Sequence, residues 1–154
     1  MAFLPQRATM YDANFAPTVD ATQPQYTQAF DMKGRELASF QFTLAGMTGT
    51  ISVPVALQVS NAVPPNGAIP GVQSVNQGWA GQGANWQPPA SSWVAVVDGS
   101  GNAVASTFTL NGTGILNAYT PFTGRWVRGA AAGPTTGVGG SLACDVFLNS
   151  PGQY

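Results

Sequence analysis

Two runs decide how this chain reads: Ala38-Ser39-Phe40-Gln41-Phe42-Thr43-Leu44 and Ile51-Ser52-Val53-Pro54-Val55-Ala56-Leu57-Gln58-Val59-Ser60. In the first, apolar side chains fall on the even positions. In the second, every odd position is a branched aliphatic. A strand sends successive side chains to opposite faces, so each run reads as a strand with one buried face. Residues 44–50 contain Gly46 and Gly49, and the spacing predicts a hairpin loop joining the two strands. Pro54 has no backbone N–H, which places it at a sheet edge or a bulge.

The same grammar continues downstream. Residues 93–97 are aromatic and β-branched, and Asp98-Gly99-Ser100-Gly101-Asn102 is a strong turn signal. Strands are expected over residues 104–110, 115–119 and 125–129, with Asn111-Gly112-Thr113-Gly114 as a further turn. In Ser141-Leu142-Ala143-Cys144-Asp145-Val146-Phe147-Leu148, residues Leu142, Cys144, Val146 and Leu148 share a face. A weaker strand is expected over residues 25–32. Helical periodicity is missing from the interior, and frequent Gly and Pro punctuate these short strands. The predicted class is all-β: an antiparallel β-sandwich, jelly-roll-like.

Two segments do not fit a sandwich. Residues 1–22 mix polar residues and prolines with isolated Phe3, Leu4, Tyr11 and Phe15, and form an extended N-terminal arm. Residues 62–90 are a long Gly/Pro-rich loop carrying Trp79 and Trp86, inserted into the sandwich domain of residues 23–154. Irregular stretches this long are uncommon in compact domains unless they serve a function. Both are expected to be contact segments ordered by neighbouring subunits.

Composition narrows the function. The chain has 154 residues with 5 Lys+Arg, 6 Asp+Glu, no histidine and a net charge of −1. Without histidine there is no Ser-His-Asp or Cys-His relay, and with one cysteine there is neither an internal disulfide nor a Cys/His zinc set. No basic face is available to release counterions from nucleic acid. The six acids are scattered, so no carboxylate pair suggests hydrolysis, and the expectation is a non-enzyme without cofactor or metal. No apolar run approaches the roughly 20 residues of a membrane span, and MAFLPQRATMYDANFAP lacks the apolar stretch of a signal peptide. The chain is expected to be made in a cytoplasm, where Cys144 stays reduced. Hydrophobic residues make up 44% of the chain and charged ones only 7%, which argues against disorder and against a freely dispersed monomer. Such a surface suits a protein covered by neighbours.

Specific stretches resemble a known group. Leu57-Gln58-Val59-Ser60-Asn61, followed after the insertion by Asn85-Trp86 and Trp93-Val94-Ala95-Val96, resembles an ASNDG-x-NW…V pattern. Gly124-Arg125-Trp126-Val127-Arg128 is similar to a GYRYVRL strand, and Thr135-Thr136-Gly137-Val138-Gly139-Gly140-Ser141-Leu142 to a TSGTGTL turn. These belong to small β-sandwich structural proteins of tailed phages and other bacterial viruses, and the likeness spans roughly residues 27–149. The resemblance implies a virion component and carries over no catalytic residue. The chain departs from that pattern where residues 62–84 replace a tight Asp-Gly turn, and in its longer arm. Extra reach of this kind suits a capsid decoration (cement) protein bridging the major capsid protein and copies of itself, as a dimer or trimer.

The candidate interface residues are therefore Phe3, Leu4, Tyr11, Phe15, Trp79, Trp86, Arg125 and Arg128. Trp79 and Trp86 also admit stacking on a host glycan, as on a tail or fibre subunit. Trp93 is expected to fill the core. Arg125 and Arg128 flank Trp126 on a strand, where they would meet carboxylates across a subunit interface, lie solvated, or pair with Asp145 or Asp98. Lys33 and Arg35 beside Asp31 and Glu36 read as a solvated turn.

Overall fold

Both decisive runs lie on one strand. In the computed structural model, which describes residues 5–63, 69–70, 85–119 and 124–149, Leu37–Ser60 is continuous over 24 residues. In chain order the strands are β1 (Gln6–Arg7), β2 (Met10–Tyr11), β3 (Gln25–Thr27), β4 (Phe30–Asp31), β5 (Leu37–Ser60), β6 (Ile69–Pro70), β7 (Asn85–Trp86), β8 (Val94–Ala95), β9 (Ala105–Phe108), β10 (Gly112–Tyr119), β11 (Trp126–Ala131) and β12 (Thr136–Asn149). A 3-10 turn, Ala90–Ser92, precedes β8.

The hairpin expected at residues 44–50 is not formed; the chain bends there within a strand. Buried residues take even positions from Ala38 to Leu44 and odd positions from Ile51 to Val59. Strict alternation cannot change phase without an irregularity. Gly46 (φ 75) and Gly49 (φ 85) supply it, together with a register shift opposite Thr136 and Val138 of β12. Side chains other than glycine resist that region of φ. Each half of β5 is thereby free to pair with other strands rather than with its own other half.

Those partners run the length of β5 on both sides, all antiparallel. On one side β12 and β11 follow one another, Asn149 opposite Leu37 and Trp126 opposite Ser60. On the other lie β10 opposite residues 37–44, β9 opposite 53–56 and β8 opposite 58–59. β1 extends the sheet beyond β12, and β3, β4 and β2 extend it beyond β11. β6 and β7 make a separate parallel pair. Pro54 sits mid-strand after all, and not at an edge. It lies on β5 between the stretches paired with β11 and β12, where its carbonyl accepts from Ala132 N at 3.0 Å.

The result is a nearly all-β molecule, an antiparallel sheet curled into a half-barrel. Its concave face holds one hydrophobic cluster, in which Phe40, Phe42, Leu142, Cys144 and Val146 meet Val53, Leu57 and Val127, each fully buried. Every such side chain contributes roughly 1.5–3 kcal/mol. Gly129 of β11 allows the two halves to approach, since a Cβ there would lie 2.6 Å from Phe42 Cζ. The face shared by Leu142, Cys144 and Val146 is as the sequence predicts. The arm is expected to be ordered by neighbours, but its described part bonds to its own chain. Ala8 N donates to the Cys144 carbonyl (2.8 Å), Leu142 N to that of Val19 (2.9 Å) and Ala21 N to that of Gly140 (3.2 Å).

Candidate functional site

β11 alternates like any strand, so Val127 enters the core while Arg128 emerges on the convex face. Arg128 stands opposite Gln58 of β5 and donates from Nε to Gln58 Oε1 at 2.8 Å. Its guanidinium lies over the Tyr26 ring at 4.1 Å and the Trp93 ring at 4.3 Å. These rings and the segments above them leave Arg128 only 8% exposed. Burial pushes its pKa down to about 10, against a smaller upward pull from Tyr26, so the group stays cationic at neutral pH. Among the described residues no carboxylate pairs with it. Asp145 pairs with Arg7 and Asp31 with Arg125, while Asp12, Asp20 and Asp98 accept from backbone N–H groups of their own turns.

A pocket of about 10 Å³ lies beside this cation. Tyr11 and Phe15 of the arm and Gln87 and Pro88, at the end of the inserted loop, line it together with Tyr26 and Trp93. The two segments that fit no sandwich thus meet over Arg128. Phe15 is held in an unusual backbone conformation, φ 60, the sole positive-φ residue other than glycine among the described ones. Asp12 fixes it there: its carboxylate accepts from Asn14 N (2.8 Å) and Ala16 N (3.0 Å), and its carbonyl from Phe15 N (3.0 Å). A bulky residue in this region costs roughly 1–2 kcal/mol, so the turn is paid for by its surroundings.

The pocket wall is rich in donors. Gln87 is buried, and its Oε1 accepts from Ala29 N at 2.8 Å. That bond fixes which end of the amide is which, and leaves Gln87 Nε2 buried without an acceptor among the described residues. Trp93 Nε1 is in the same position. Next to the pocket, and sharing Tyr26 and Gln58 with the Arg128 clamp, an open groove of about 370 Å³ runs over small residues such as Ala56, Ala105, Ser106 and Ala130.

The structure brings together Tyr11, Phe15 and Arg128 of the expected interface residues and separates Arg125 from them. Arg125 does not pair with Asp145 or Asp98. It binds Asp31 through Nε (2.5 Å) and Nη2 (3.0 Å), because β4 lies against β11 at this point. Partial burial raises the Asp31 pKa, but the Arg125 hydrogen bond, the Lys33 N–H and both cations outweigh it and hold the carboxyl below its usual value. Trp93 is not core either: it is half-buried over Arg128, and Trp126 is the fully buried indole. Phe3, Leu4 and Trp79 lie outside the described residues, as does the side chain of Trp86, whose backbone forms β7. Gln87, Tyr26 and Gln58 carry no signal in the sequence, since Gln is frequent in this chain and only the register places these side chains around Arg128.

Comparison with protein-family models, with curated proteins and with solved structures finds no match. Among the described residues no group of three His, Cys, Asp or Glu could hold a metal ion, and no helix is long and apolar enough to cross a membrane.

Proposed function

We propose that this chain is a non-enzymatic structural protein of a virus particle, a decoration or cement protein on the capsid surface that bridges major capsid subunits and associates with copies of itself. The observation that carries the reading is the edge formed by β8, β9 and β10. Among the described residues these strands pair on one side only, with β5. Val94, Val97, Leu110, Ile115 and Tyr119 are exposed along this stretch, and Asp98 is the single charge between residues 94 and 119. Natural edges are guarded by short strands, lysine, proline, bulges or inward charges; β8 and β9 are short, but the 8-residue β10 carries neither lysine nor proline. A surface of this kind stays dispersed when neighbours cover it. The phage-like stretches of sequence supply the kind of assembly, and a jelly-roll-like sandwich is the finer fold reading that goes with them. Synthesis in the host cytoplasm and final residence in the virion follow from the same reading.

Many modest contacts to several neighbours add up through high effective concentration. Particles assembled without the chain are therefore expected to release genome at lower temperature than complete particles, followed by dye access to nucleic acid on heating. Identical release curves would refute the cement role. The competing reading, a tail or fibre subunit or a glycan-binding module, rests on Trp79 and Trp86, and no described contact favours it.

A further inference from the structure

The Arg128 pocket has a chemistry of its own, independent of which particle the chain joins. A cation buried without a counter-charge is costly to the fold. Here the cost is compounded by Gln87 Nε2 and Trp93 Nε1, two further buried donors without acceptors among the described residues, on side chains that line the same pocket. The unpartnered polar atoms of the lining residues are both donors and none of those residues is anionic, so the group that fits is an acceptor with negative charge. The Tyr26 and Trp93 rings lie against the guanidinium, and Nε is used by Gln58. The remaining in-plane N–H groups match a planar carboxylate. The cavity of about 10 Å³ has room for one oxygen atom, so it would take one of the two carboxylate oxygens, and it is too small for a sugar or a phosphate. The adjoining groove of about 370 Å³, neutral and lined by small side chains, has room for the chain that carries that carboxylate.

We propose that the convex face around Arg128 docks a partner polypeptide through one acidic side chain, its carboxylate held by Arg128, Gln87 and Trp93 and its flanking residues lying in the groove beside Tyr26 and Gln58. The strained Phe15 turn lines the same pocket, so Tyr11 and Phe15 from the arm and Gln87 and Pro88 build the receptor together with Tyr26 and Trp93.

The test follows the Trp93 indole N–H resonance of the full chain while N-acetyl-Ala-Glu-Ala-amide, its Gln counterpart, acetate and chloride are added at constant ionic strength. Saturable displacement by the Glu peptide, at least fivefold tighter than acetate and absent with the Gln peptide, is the expected result. Gln87→Glu keeps the acceptor for Ala29 N and places an internal carboxylate in the pocket, so it should weaken the Glu peptide at least tenfold while the chain remains folded. Equal binding of acetate and peptide would overturn the groove; equal binding of the Gln peptide would overturn the carboxylate. Titration by chloride alone, or no saturable change with any addition, would overturn the site. None of these results depends on particle stability, so failure here and failure of the capsid reading are separate events.

Discussion

Arg128 shows what a residue can do that its neighbours in sequence cannot. Arg125, three positions earlier, has a carboxylate partner of its own and is a structural ion pair at the surface. Arg128 has aromatic rings and one amide instead, and is nearly covered. If its role lies outside the fold, removing it should not harm the fold. Arg128→Met is expected to leave stability unchanged within about 1 kcal/mol or to raise it, measured by urea unfolding, because an unpaired buried cation gives way to an apolar chain of similar length. A loss above about 2 kcal/mol would make Arg128 a structural residue. Sequence alone listed both arginines as equals, since the difference lies in which strand borders β11: β4 brings Asp31 to Arg125, and β3 brings Tyr26 to Arg128.

At the scale of elements, the alternation in residues 38–44 and 51–60 was legible at once, and so was the buried face of residues 142–146. What pattern could not supply was the partner of each run. The change of phase between them, even to odd, was present in the sequence and fits either a loop or a bend. Gly46 and Gly49 suit both. Only the partners decide: residues 126–149 and 94–119 occupy the two sides of β5, leaving no side on which its halves could pair. The bend brings the halves close where Gly129 faces Phe42. Gly129→Ala is expected to lower stability by about 1–3 kcal/mol in urea unfolding, because the added methyl overlaps the fully buried Phe42 ring. Pairing it with Phe42→Leu should recover part of that loss. An unchanged midpoint for the single variant would mean that the halves are not in contact there.

For the molecule as a whole, composition was the most informative feature of the sequence and geometry gave it a location. Few charges alone argue for a covered surface without saying which part is covered. In the structure the two long sides of the sheet are treated differently. The β11–β12 side is closed by the molecule's own chain, by the arm through β1 and the bonds of Ala8, Val19 and Ala21, and by β3 and β4 that follow it. The β8–β10 side carries exposed aliphatic residues and almost no charge. The arm and the inserted loop, read from the sequence as features for reaching outward, also build a pocket on the convex face. Why they meet was not readable, because that meeting depends on the pairing of β2 with β3 and of β3 with β11.

The capsid reading stands or falls on where the chain resides, and electron microscopy of purified virus particles that encode it measures this directly. The account predicts ordered copies on the outer surface of the head, straddling junctions between major capsid subunits, with β8–β10 in contact with a neighbour. Particles whose heads carry no such density, with the chain recovered only as a dispersed monomer, would contradict it.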